Sequence, residues 1–202
     1  MSRKLKTISL ITISLLILSQ SFLAQDKQEI VLTITGLPAS DKLDHFNTGE
    51  ALRKQMNFQE AIKEYRIVIT PGEYCDKEPE AHYNIGLCYT WLGELDSAST
   101  VFNDVIKTYP ANGMAVGYAQ YSLAWIEVQR TEFEKAIERL QNILDNKVCE
   151  DVEFNAMVLF EIGRIYGAYL NDWEKAHEIF NLVLEQYPGT KVTNHSFITG
   201  LK

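Results

Sequence analysis

Residues 80–110 read EAHYNIGLCYTWLGELDSASTVFNDVIKTYP, and the reading of this stretch decides the fold. Its small and apolar positions recur at helical spacing in two runs, parted by Gly93 and closed by Pro110. A glycine stops the first helix and a proline the second. Gly86 and Ala98 are small where the two helices cross, so the backbones approach closely, while Tyr89 and Phe102 fill the space beside them. One such hairpin cannot bury its own apolar face, so it requires neighbours of the same design.

Those neighbours are in the sequence. Upstream, Thr48-Gly49, Leu52, Phe58, Ala61 and Tyr65 repeat the arrangement, and downstream Leu123-Ala124, Phe133, Ala136 and Leu140 repeat it more loosely. A fourth copy holds Ile162-Gly163, Tyr166, Trp173, Ala176, Phe180 and Pro188, with one extra residue between its Gly and its Ala. The small residue of the second helix therefore recurs at Ala61, Ala98, Ala136 and Ala176, at intervals of 37, 38 and 40.

The order Ile85-Gly86, Tyr89, Gly93, Leu95, Ala98, Phe102 and Pro110 resembles the tetratricopeptide repeat, whose period is about 34 residues. The excess over that period is assigned to the loops between hairpins. The resemblance covers about Asp41 to Thr190. It implies an all-α fold, a right-handed α-α superhelix of about four helical hairpins followed by a C-terminal capping helix. The endings Val105–Pro110 and Val183–Thr190 are similar to the Y-P-x-S/T endings of repeats in bacterial envelope proteins, the outer-membrane assembly lipoprotein and the cell-division coordinator family. Those motif residues are structural and carry no function of their own.

The chain divides accordingly. Residues 1–24 look like an export signal: Arg3, Lys4 and Lys6 precede an apolar run from Ile8 to Leu18, and the small residues Ser19, Ser21 and Ala24 follow. Cleavage fits after Ser21 or after Ala24, and a single uncleaved anchor is the other reading. Localisation is then periplasmic or secreted, and no Cys near this boundary offers a lipid anchor. Residues 25–40 form an extended leader in which Glu29–Gly36 alternates like a short strand, either packed on the first hairpin or paired with a partner's strand. Ser40 or Asp41 is placed to cap the first helix. The hairpins span about 41–70, 79–109, 113–145 and 151–187, with a hinge loop from Pro71 to Pro79. Residues 190–202 are read as a short polar helix covering the last apolar face.

Composition sets the outer bounds. A chain of 202 residues that is 46% hydrophobic suffices for one elongated domain, and a net charge of −8 disfavours nucleic acid, which needs clustered Lys and Arg. Cys75, Cys88 and Cys149 are an odd number; Cys88 reads as a core residue, and Cys75 and Cys149 fall in loops too far apart for a disulfide. The four histidines show no ligand spacing, and no nucleophile elbow or phosphate loop is present. No enzyme, cofactor or metal is expected.

What the resemblance does single out is a concave groove lined by the first helix of each hairpin. Aligned on the Gly86 register, it receives Phe46, Glu50, Arg53 and Lys54, then Tyr83, Leu87, Thr90 and Trp91. The third and fourth hairpins add Tyr118, Tyr121, Trp125, Val128 and Gln129, then Met157, Phe160 and Arg164. A row of aromatics is costly unless a partner covers it. The expected function is an adaptor that holds a protein or peptide segment in this groove, with Arg53, Lys54 and Arg164 orienting a polar or acidic group. A glycan or cell-wall module stacking sugars on the same rings is the alternative.

Overall fold

The computed structural model describes residues 36–195 and residue 198. The export signal and the strand at 29–35 lie outside the described residues. Within them are eight α-helices: α1 (Ala39–Lys54), α2 (Phe58–Val68), α3 (Glu78–Trp91), α4 (Leu95–Thr108), α5 (Gly113–Gln129), α6 (Phe133–Asp145), α7 (Val152–Ala168) and α8 (Trp173–Gln186). Each packs mainly on the helix before it and the helix after it, and α3 and α5 also touch directly, so the array is a solenoid whose first helices line one side.

Small residues set how closely each pair crosses. A Cβ on Gly49 would fall 2.7 Å from the Tyr65 ring, one on Gly86 2.4 Å from the Phe102 ring, and one on Gly163 2.6 Å from the Phe180 ring. In the third hairpin both partners change together: Ala124 replaces the glycine and Leu140 replaces the ring, and both are buried in one cluster. Ala61, Ala98, Ala136 and Ala176 are each fully buried on the second helices.

The excess over the usual repeat length is not confined to the loops between hairpins. The second interval contains the short connection from Tyr109 to Asn112, but α5 has 17 residues where α3 has 14. The added residues extend a first helix, which lengthens the groove wall. The extra residue of the fourth hairpin sits in its internal turn, Tyr169–Asp172.

Caps follow local chemistry. The side chains of Asn112, Asp151 and Asp172 accept hydrogen bonds from the backbone N–H of Ala115, Phe154 and Lys175, at 3.0, 2.7 and 3.0 Å. For α1 the expected cap is displaced: the helix starts directly after Pro38, and Ser40 and Asp41 lie inside its first turn. The Lys42 N–H then bonds the Pro38 carbonyl at 3.1 Å.

The loop from Pro71 to Pro79 is tied to the segment before α1. Leu37 forms a parallel bridge with Gly72, and the Glu73 N–H donates to the Leu37 carbonyl at 3.1 Å. The two segments cross so closely that a Cβ on Gly36, which has φ +71°, would stand 2.3 Å from the Gly72 Cα. Lys42, 1% exposed, donates from Nζ to the Thr70 carbonyl and to Glu78 Oε1, both at 2.7 Å. A buried ammonium is tolerable only when so satisfied, and this one ties α1 to α3.

At the other end, the cap begins as a 3-10 turn at Lys191–Asn194 that packs on α7. Ile198 is fully buried in the core of the third and fourth hairpins. This end therefore contributes a buried apolar residue to the core, where the sequence reading expected only a polar cover.

Candidate functional site

The wall of the groove is built from one face each of α3, α5 and α7. Tyr83, Leu87, Thr90 and Trp91 come from α3, spaced three and four apart so that they share a face. Tyr118, Tyr121, Ser122 and Trp125 come from α5 in the same way, and Met157 from α7 closes the far side. Together they enclose a concavity of about 430 Å³. The Tyr83 and Tyr118 rings meet at 5.9 Å between centroids, and Tyr118 and Tyr121 both rest on Phe154, at 4.6 and 6.2 Å. Phe154 is buried, so the wall stands on the core. Trp91 is 69% exposed, yet its ring is stacked on Phe58 of α2 at 6.2 Å and 7°. Trp125 is 37% exposed.

Three polar groups of this wall bond within it. Tyr83 Oη and Ser122 Oγ share a hydrogen bond at 3.2 Å, and the Thr90 hydroxyl donates to the Gly86 carbonyl at 3.0 Å. Burial pushes the Tyr83, Tyr118 and Tyr121 phenols up from their ordinary value; Asp151 adds to the shift of Tyr118 and Glu161 to that of Tyr121. The Ser122 hydrogen bond opposes it at Tyr83 without reversing it. All three phenols are neutral near pH 7.

A second concavity, of about 370 Å³, continues the first toward the N-terminal ends of α3 and α5 and shares Tyr83 and Tyr118 with it. Asp76, Pro79, Glu80, Asn84, Asn112, Met114 and Ala115 complete its lining.

Of the residues singled out from sequence, Tyr83, Trp91, Tyr118, Tyr121 and Trp125 come together in the groove. Phe46 and Phe160 do not line it: they are 5% and 8% exposed and belong to the core. Phe46 packs on Tyr65, and Phe160 packs on both Phe180 and His195 of the C-terminal segment. Val128 is likewise buried. Arg53 is not free to orient a ligand, because its guanidinium bonds both oxygens of Glu50, at 2.8 and 3.2 Å. Arg164 is held the same way by Glu161 and by the Tyr169 hydroxyl and ring. Lys54 is exposed and lines neither concavity. Sequence reasoning missed Ser122 and Met114, although each lies four residues before or after Tyr118 on the same helical face.

Among the described residues no group of three or more His, Cys, Asp or Glu is arranged to hold a metal. No described helix is long and apolar enough to cross a membrane. The three cysteines are free and buried, and burial pushes the Cys88 thiol up to about 11.

A solenoid of helical hairpins with an aromatic groove on its first-helix side defines a class of interaction scaffold, generally without catalytic activity. The tetratricopeptide-repeat family model matches residues 80–112 and 157–190, the second hairpin and most of the fourth. These two hairpins are tetratricopeptide repeats, and the first hairpin shares their glycine-on-ring crossing. Among solved structures it is similar to the apo form of RapI, at 20% identity and a TM-score of 0.63, over 79% of this chain and 60% of that one. It therefore spans less than two thirds of RapI. A putative kinesin light chain of Podospora anserina with nearly identical repeats matches at 14% identity and TM-score 0.59, over 81% and 82% of the two chains. MamA from AMB-1 matches at 16% and 0.51, over 79% and 80%. These likenesses are of fold. No curated protein sequence matches the chain.

Proposed function

We propose that this chain is an exported adaptor that holds a segment of a partner protein in the aromatic groove of its second to fourth hairpins, within a cell-envelope complex. The observation that carries the reading is the continuous wall from Tyr83 through Trp91, Tyr121 and Trp125 to Met157. Large exposed aromatics set into a concavity are the anchors on which protein interfaces concentrate their binding energy. Sugar binding on the same rings is the second reading, and peptide selection set against cell-wall retention separates the two. Export is supported by Arg3, Lys4 and Lys6 ahead of the Ile8–Leu18 apolar run.

The test is selection of a random peptide library on the immobilised protein, repeated on a Trp91→Ala/Trp125→Ala variant. Recovered peptides should be rich in aromatic and branched aliphatic residues. The variant should bind them about 30-fold more weakly, the equivalent of about 2 kcal/mol. Equal binding by both proteins would remove the groove from the function. Retention on insoluble cell wall with no peptide selected would hand the groove to glycans. Fractionation of the native host, with the N-terminal mass of the recovered protein, tests export.

A further inference from the structure

Resting on that reading, we infer that the groove takes a segment of mixed character: a cationic side chain at the Asp76–Glu80 end and aromatic or aliphatic anchors at the Trp91–Trp125 end. The two concavities share the Tyr83 and Tyr118 rings, so one extended chain occupies both. Their linings differ in kind. The half at Leu87, Trp91, Tyr121, Trp125 and Met157 contains no charged residue, whereas the half at the N-terminal ends of α3 and α5 contains two carboxylates and two Asn side chains.

The sign of that charge is the reverse of what the sequence suggested. Arg53 and Arg164, expected to favour an acidic ligand, are neutralised by Glu50 and Glu161. At the other end Lys42 is buried and committed to Glu78, and Lys77 reaches Glu80 at 2.9 Å while its ammonium lies over the Phe46 ring at 5.3 Å. Glu80 belongs to the first turn of α3, where the helix dipole itself favours an acid. Asp76 does not: it stands in the preceding loop, is exposed, lines the concavity, and forms no ion pair with a described residue. Asp151, whose carboxylate caps α7, adds negative charge felt at Tyr118. A Lys or Arg entering here lays its alkyl stem across the Tyr83 and Tyr118 rings and its charge toward Asp76. From Glu80 to Trp91 is eleven residues of helix, about 16 Å, which an extended peptide spans in about five residues.

The experiment titrates the full chain with end-blocked peptides, read by tryptophan fluorescence and by calorimetry. The probes are Lys-Lys-Gly-Ser-Gly-Phe-Leu-Phe and the same residues in reverse order, each beside a counterpart with Glu in place of Lys. At low ionic strength the better Lys probe should bind at least about tenfold more tightly than either Glu probe, and about 0.5 M salt should erase most of that preference. Asp76→Lys should abolish the preference, and Trp91→Ala should weaken every probe. If the Glu probes bind as well as the Lys probes, or better, while Trp91→Ala still weakens them, the inference is overturned and the groove reading stands. If no probe binds, or binding ignores Trp91→Ala, both fail.

Discussion

The Phe102 ring occupies the volume that a side chain at residue 86 would need: a Cβ on Gly86 would stand 2.4 Å from Phe102 Cε1. Helix propensity alone favours Ala over Gly at this position by about 1 kcal/mol. The clash outweighs it, because Phe102 is fully buried and has nowhere to swing. Gly86→Ala should therefore cost a net ~1–2 kcal/mol, measured by urea denaturation followed by circular dichroism. Phe102→Leu in the same chain should recover part of the loss, since it recreates the Ala124 and Leu140 pair of the third hairpin. Strict additivity of the two substitutions would sink this account of the crossing.

The same pairing explains what was legible in the sequence. Gly49, Gly86, Ala124 and Gly163 on first helices, with Ala61, Ala98, Ala136 and Ala176 on second helices, mark where backbones must touch, so they register the whole array. The groove was most legible on α3 and α5, with Met157 of α7 also placed and Val128 of α5 misplaced into the groove. In α3 and α5 the Gly86 register puts Tyr83, Trp91, Tyr118, Tyr121 and Trp125 on the face that lines the concavity. At the ends the environment differs: Phe160 is covered by His195 of the C-terminal segment, and Phe46 is buried against Tyr65. The state of the arginines was legible and overlooked. Glu50 and Glu161 each precede an arginine by three residues, the spacing at which helical side chains pair.

Three of the four turns inside hairpins place a residue other than glycine at positive φ: Met56 at 62°, Thr131 at 62° and Asn171 at 55°, against Gly93 at 76°. For a β-branched residue this conformation costs about 1–2 kcal/mol, and Thr131 is exposed, so nothing in packing compensates. Thr131→Gly should raise stability by about 1 kcal/mol. Gly93→Ala should lower it by a similar amount although nothing lies within 4 Å of the added methyl. Thermal midpoints of the two variants, moving in opposite directions, check the claim. A stabilising Gly93→Ala would refute it.

Glu50 fastens three helices at one carboxylate. Its Oε1 accepts from the Tyr65 hydroxyl at 2.6 Å and from Asn84 Nδ2 at 2.9 Å, while Arg53 spans both oxygens. Burial by itself would raise this carboxyl, but the hydrogen bonds from Arg53 and Tyr65 and the charges of Arg53 and Lys54 prevail and hold it below its ordinary 4.5. The unfolded chain therefore takes up the proton first as pH falls. The stability Glu50 contributes is complete above pH 4.5 and is lost as pH drops from there through the folded value. Glu50→Gln keeps the shape but turns an amide N–H₂ toward donors, so at pH 7 it should cost about 1–3 kcal/mol. The gap between the two proteins in urea denaturation should be constant from pH 7 to 5 and should narrow toward pH 3. A gap of unchanged size at pH 3 would show that the ionised form of Glu50 contributes nothing, and that the junction of the first two hairpins is held by packing alone.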